Sequence, residues 1–276
     1  MYVNPATLSA RKPVTVPSLR AMKAEGRKIV MLTAYDASFA AQAERAGVDV
    51  VLVGDSLGNV VQGHKSTLPV TLDQMVYHTT LVSRGLEAAL QVADLPFMAD
   101  RDVSCALDAG ARLVGEGGAA MVKIEGAAPH ILAAIGALVD REIPVCAHLG
   151  LTPQSVHKFG GFRVQGRTQD SADRMVEQAK AVAAAGAELL VLEGIPADLG
   201  ERITKAVAIP TIGIGAGPHC DGQVLVCYDV LGITVGKRPK FSKDFLAGRD
   251  SVAAALAAYA ADVRSGAFPA PEHCFN

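Results

Sequence analysis

The chain has 276 residues, half of them hydrophobic and 20% charged, which excludes a disordered chain and leaves room for one large buried core. Lys and Arg number 26 against 28 Asp and Glu, a net charge of −2 with His neutral, so there is no electrostatic footprint for nucleic acid or anionic lipid. Five scattered cysteines, an odd number without Cys-x-x-Cys or zinc spacing, exclude a disulfide framework and a structural zinc site and point to free thiols in a reducing compartment.

The N-terminal stretch MYVNPATLSARKPVTVPS lacks the apolar core of a signal peptide, and no apolar run approaches the roughly 18 residues of a membrane span. The expectation is a soluble cytoplasmic protein. A helix near Ser18–Glu25 precedes the first strand, Ile29–Thr33, and helix Ala37–Ala46 leads to strand Val48–Val53. A long connection, 54–71, precedes helix Leu72–Arg84 and strand Ala89–Leu95. Helix Val103–Gly115, strand Ala120–Ile124, helix Pro129–Asp140 and strand Pro144–His148 follow. A second long connection, 149–170, leads to helix Ser171–Ala185, with Asp170 or Ser171 as its cap, and to strand Glu188–Leu192. Helix Ala197–Val207, strands Pro210–Ile214 and Val224–Cys227, and an Ala-rich helix Ser251–Val263 suited to close packing on a neighbour complete the series. The basic run from Lys237 to Lys243 reads as a solvated loop.

The strands are nearly all apolar, as strands covered on both faces are, and glycines at Gly47, Gly118 and Gly186 stop helices just before new strands. Eight such units predict a single-domain (β/α)8 barrel over 1–276, with extra N- and C-terminal helices; periodicity alone leaves a doubly wound sheet as the alternative. In a barrel, the C-terminal ends of the strands carry the chemistry. Those ends hold Tyr35 and Asp36, then Asp55 and Ser56, Asp94, Lys123 and Glu125, His148, and Glu193. Asp36 precedes a helix and reads as its cap.

Three carboxylates on adjacent strands, Asp55, Asp94 and Glu125, would repel one another unless a cation sat between them, and an oxygen-only donor set favours Mg²⁺. Such an ion could grip a 2-oxo acid and stabilise its enolate. Lys123 either adds a second positive charge or simply pairs with Glu125. The turn Gly213-Ile-Gly-Ala-Gly217 reads either as a phosphate cradle or as tight geometry, and it lacks dinucleotide spacing. The remaining histidines show no ligand spacing.

The segments TAYDASFA (33–40), VGDSLGNVVQGHKSTLPVTLDQMVYH (53–78), ADLPF (93–97), MVKIEG (121–126), HLGLTPQSVHKFGGFRVQGR (148–167), LLVLEGIP (189–196) and GIGAG…DGQVLV (213–226) resemble the ketopantoate hydroxymethyltransferase family. The resemblance runs in order from about residue 14 to the C-terminus, with the HLGLTPQ block its most specific part. It implies a barrel of the phosphoenolpyruvate/pyruvate superfamily type and Mg²⁺ as metal. The implied reaction transfers a one-carbon unit from 5,10-methylenetetrahydrofolate to 3-methyl-2-oxobutanoate, giving 2-dehydropantoate for pantothenate synthesis.

Carried over by motif, the resemblance makes Asp55 and Asp94 metal ligands that also bind substrate, with Glu125 in the metal shell, directly or through water. Ser56 and Lys123 hold the keto acid, and Glu193 is the proton acceptor, with a structural acid as its other reading; His148 could contact the keto oxygen. A homo-oligomer, commonly a decamer of paired pentamers, is also implied, and the Ala-rich C-terminal helix could serve its interface. The chain departs from the family pattern at Asn59, Asp100, Cys220 and Tyr228, positions that bear on folate contacts and loop packing rather than on the metal shell. Two other readings stay open: a folate-free Mg²⁺ enzyme acting on C–C bonds of oxo acids, and a non-catalytic oxo-acid binder.

Overall fold

A computed structural model describes residues 11–236 and 238–276. The reading of the first ten residues as free of a signal core, and Lys237 of the basic run, therefore lie outside the described residues. Eight parallel strands form a closed barrel in sequence order: β1 Ile29–Thr33, β2 Val50–Val53, β3 Leu90–Asp94, β4 Met121–Glu125, β5 Val145–Gly150, β6 Leu189–Glu193, β7 Thr211–Ile214 and β8 Gly222–Leu225. Closure runs through β1 and β8, with Met31 opposite Val224, so the doubly wound alternative is set aside. The strands are buried almost throughout, as their unbroken apolar runs require of a sheet enclosed by its own interior and by helices.

Most predicted helices form within a residue or two of their expected limits. The cap of helix Gln169–Ala184 is a correction. Thr168, rather than Asp170 or Ser171, is the N-cap: its hydroxyl accepts from Ser171 N at 3.3 Å, and Ser171 Oγ accepts in turn from Thr168 N at 3.1 Å. Both donors are satisfied only if the helix starts at Gln169, directly after Thr168. The last strand also begins earlier than expected. Gly222 lies where a Cβ would sit 2.3 Å from Ile29 O, so the glycine belongs inside the strand rather than before it.

Two flanking helices complete the barrel. Val16–Ala24 covers the end where the strands begin, burying Leu19 and Met22. The Ala-rich helix, Val252–Ser265, buries Leu256, Tyr259, Ala260 and Val263 and packs on β1 and on helix Ala37–Arg45 of its own chain. Tyr259 is the anchor: its hydroxyl donates to Met31 O at 2.8 Å, tying that helix to the wall. This helix fills the position left by β8, which is followed only by the short turn Cys227–Val230. Among the described residues, no helix is long and apolar enough to cross a membrane.

Candidate active site

Strand register brings the ionisable side chains together. Asp94 of β3 lies opposite Lys123 of β4, and Glu125 of β4 lies opposite His148 of β5. Side chains two residues apart on a strand point the same way, so Lys123 and Glu125 both face the barrel mouth. Lys123 Nζ sits 2.9 Å from Asp94 Oδ1 and 3.3 Å from His148 Nδ1. The partner of Lys123 is thus Asp94, not the Glu125 that spacing also allowed. His148 Nδ1 lies 3.5 Å from Glu125 Oε1, and its Nε2 lies 3.3 Å from Glu193 Oε2 at the end of β6.

Asp55, in the turn after β2, donates its backbone N–H to Asp94 Oδ2 at 3.0 Å. The preceding Gly54 clears space there, since a Cβ would meet Ser56 Oγ at 2.7 Å. Ser56 Oγ is held 2.9 Å from the Tyr35 hydroxyl. All of these groups except Tyr35 line one cavity of about 610 Å³ at the barrel mouth. Both long connections reach over it, Thr67 from the first and Phe162 from the second.

The electrostatics are unbalanced. Burial raises the Asp55 carboxyl well above the ordinary range, and Asp94 and Glu125 add to the effect against the pull of Lys123. Burial likewise pushes Glu125 up to about 7, opposed by Lys123. Lys123 keeps its proton: burial disfavours its charge, but Asp94, Glu125 and Asp55 outweigh that and raise its pKa. His148 is lowered by burial and by Lys123, which keeps the ring neutral. A neutral ring that accepts from Lys123 at Nδ1 carries its proton on Nε2, facing Glu193.

One lysine therefore faces three buried carboxylates. Glu125 Oε1 and His148 Nε2 are also buried without a well-aligned hydrogen bond, an arrangement that costs about 1–3 kcal/mol per atom if nothing else binds there. The donor set fits a hard divalent cation. Yet among the described residues no group of three or more His, Cys, Asp or Glu side chains is arranged to hold a metal by itself. Such a cation would take two carboxylates, Asp55 and Asp94, with its other positions left to substrate and water, as Mg²⁺ commonly does.

Several functional positions escaped sequence reasoning. Gln154, in the short turn Pro153–Ser155, donates from Nε2 to Asp55 Oδ2 at 2.8 Å and to Leu95 O at 2.9 Å. Its backbone N–H donates to Glu125 Oε2 at 3.1 Å, so one neutral residue holds two of the three carboxylates. Its only signal was membership of the HLGLTPQ block. Of the basic run, expected as a solvated loop, Arg238 and Lys240 are exposed but Pro239, Phe241 and Lys243 are half-buried and Ser242 is buried, and Arg238, Lys240 and Phe241 line the cavity.

Other candidates are structural. Asp36 caps its helix, accepting from Ser38 N at 2.8 Å and Phe39 N at 3.0 Å. The glycine turn is tight geometry: Gly215 has φ +62°, and a Cβ there would lie 2.9 Å from both Phe241 and Phe275. Of the departures, Asn59 donates to His64 O at 3.0 Å, Cys220 is buried behind Gly213, and Tyr228 stacks on Phe39 at 6.3 Å.

A family model described as ketopantoate hydroxymethyltransferase matches residues 13–271. A protein of Xanthomonas euvesicatoria pv. vesicatoria (strain 85-10), named 3-methyl-2-oxobutanoate hydroxymethyltransferase, is 59% identical over 265 residues, covering 96% of this chain and 97% of that one. A protein of the same name from Stenotrophomonas maltophilia (strain R551-3) is 58% identical over 271 residues, with 98% and 99% covered. Among solved structures, phosphonopyruvate hydrolase in complex with oxalate and Mg²⁺ is similar at a TM-score of 0.58 and 14% identity, covering 76% of this chain and 80% of that one. A 2,3-dimethylmalate lyase, a PEP mutase/isocitrate lyase superfamily member, has a TM-score of 0.58 at 19% identity, with 79% and 82% covered. At these identities the structural likeness carries the fold and not the reaction.

Proposed function

The chain belongs to the ketopantoate hydroxymethyltransferase family, and from that premise we propose that its barrel mouth enolises 3-methyl-2-oxobutanoate and transfers to it the one-carbon unit of 5,10-methylenetetrahydrofolate, giving 2-dehydropantoate for pantothenate synthesis. The activity is that of a hydroxymethyltransferase, which sets aside the folate-free and non-catalytic readings. The observation that supports this assignment of the site is the placement of Glu193 in the same buried cavity as the Asp94–Lys123 pair, with neutral His148 between them.

Asp55 and Asp94 would hold Mg²⁺, with Glu125 behind them, directly or through water. Bound there, the ion supplies Lewis-acid polarisation of the keto acid and offsets the excess carboxylate charge. Ser56, fixed by Tyr35, orients the substrate, and Lys123 pairs with the oxygen on which negative charge develops. Glu193 breaks the C3–H bond by accepting the proton, and the electron pair passes into the enolate. His148, with its proton on Nε2, steadies the Glu193 carboxylate. Water adds to the methylene carbon as its two C–N bonds break, giving formaldehyde and tetrahydrofolate, whose nitrogens keep the two water protons. C3 of the enolate bonds to the formaldehyde carbon, and the alkoxide takes back the proton held by Glu193.

The same reading takes the chain as one barrel domain over 1–276, cytoplasmic, and a homo-oligomer, namely a decamer of paired pentamers. The packing of both flanking helices on a single closed barrel supports the first; the family resemblance supports the others. The test of function is product formation. Purified protein supplied with 3-methyl-2-oxobutanoate, 5,10-methylenetetrahydrofolate and Mg²⁺ is expected to form 2-dehydropantoate, and absence of product under these conditions overturns the assignment.

A further inference from the structure

A five-carbon oxo acid held against Lys123 and Asp94 fills only a small part of the 610 Å³ cavity. What remains has a different chemistry from the floor. Phe241 and Phe275, edge to face with ring centroids 6.4 Å apart, form one wall, and Gly215 passes close beneath them because it carries no Cβ. Phe162, 60% exposed, also lines the cavity. The same cavity is also lined by one acid that the enolate chemistry does not use, Asp229, which is 5% exposed.

Asp229 Oδ1 accepts from the Thr234 hydroxyl at 2.6 Å, which fixes the plane of the carboxylate. No described residue donates to its other oxygen. Burial raises the Asp229 pKa, opposed by the Thr234 hydroxyl and by Arg238 at the exposed margin of the same cavity, whose guanidinium pairs with Asp244 at 3.2 Å.

We infer that Asp229 anchors the pterin of the folate co-substrate, its carboxylate accepting the paired N–H groups of the 2-amino-4-oxopyrimidine edge while Phe162, Phe241 and Phe275 enclose the ring. A planar donor pair matches a planar carboxylate in bidentate fashion, and aromatic walls favour a flat ring over an aliphatic ligand. Two subsites follow in one cavity, an ionic floor for the oxo acid and an apolar upper part for the one-carbon donor. This assignment rests on the proposed function and names the residues that make it folate-dependent.

The test separates the two subsites. Binding of tetrahydrofolate and of tail-less 6-methyltetrahydropterin is measured by calorimetry with Mg²⁺ present, and C3 deuterium exchange of 3-methyl-2-oxobutanoate is measured without folate. Asp229→Asn is expected to weaken both pterins by about tenfold or more and to leave exchange as in wild type. Phe162→Ala, at an exposed position that does not endanger folding, is expected to weaken both pterins severalfold. Wild-type pterin affinity in Asp229→Asn and Phe162→Ala, or exchange lost together with binding in folded Asp229→Asn, overturns the inference. Should Asp229→Asn fail to fold, unchanged binding in Phe162→Ala overturns it alone. Failure of wild-type exchange instead contradicts the proposed function and is read separately.

Discussion

The two ends of the barrel treat buried charge in opposite ways. At the end where strands begin, Asp49 pairs with Arg11 and with Arg264, the latter at 3.1 Å, and accepts Val30 N at 2.9 Å. Glu44 accepts three successive backbone N–H groups, from Glu87, Ala88 and Ala89, at 2.7–3.2 Å. Lys23 meets Asp221 and the carbonyls of Thr204 and Ile209, each at 3.0 Å. At the other end, one lysine faces three carboxylates, and Glu125 Oε1 lacks an aligned donor. Satisfied charges hold elements together; unsatisfied ones are maintained against their own repulsion by the surrounding barrel, and they need an outside partner. The contrast separates stability from function within a single fold.

Substitutions at the two ends should therefore fail differently. The largest effect is expected from Glu193→Gln, which keeps the shape and removes the base: C3 exchange should fall by about a hundredfold to ten-thousandfold while calorimetric oxo-acid binding persists. Normal exchange would end the claim of Glu193 to be the proton acceptor. Next come two charge deletions with opposite signatures. Asp49→Ala removes the acceptor of Val30 N and two part-exposed ion pairs and should cost about 1–3 kcal/mol in denaturant unfolding, with exchange per folded molecule unchanged. Asp94→Asn should abolish Mg²⁺-dependent oxo-acid binding yet cost less than ~1 kcal/mol, because it lowers the carboxylate excess around Lys123. A large stability loss in Asp94→Asn would dissolve the comparison.

Smaller effects sharpen it. Gln154→Ala removes the amide shared by Asp55 and Leu95 O and should weaken Mg²⁺-dependent oxo-acid binding by about five- to tenfold, read by titration. Thr168→Ala, a capping change remote from the cavity, should lower unfolding free energy by about 1 kcal/mol and leave kinetics alone.

Much of this was legible in the sequence for a physical reason. Strands buried on both faces must be apolar throughout, so the runs stood out, the eighth least clearly, and the acids at their ends stood out against them. The strand start at Gly222 was hidden because a glycine normally signals a break, whereas here it allows close approach to Ile29. The Thr168 cap was hidden behind two equally good capping residues next to it. In the site, charged residues on strands were visible because barrel geometry dictates where strand ends point. Gln154, Asp229 and the Phe241–Phe275 wall were not, since they sit on connections whose path follows from tertiary packing. Phe241 and Phe275 are 34 positions apart and meet only in the folded chain.

The central claim is that this mouth removes the C3 proton of 3-methyl-2-oxobutanoate before any carbon is transferred. Proton NMR of C3 exchange in deuterium oxide, without folate, tests it most directly. The account predicts rapid exchange with Mg²⁺, loss of exchange when the metal is chelated, and recovery when it is restored. No exchange by the wild-type protein with Mg²⁺ present would contradict the account at its first chemical step.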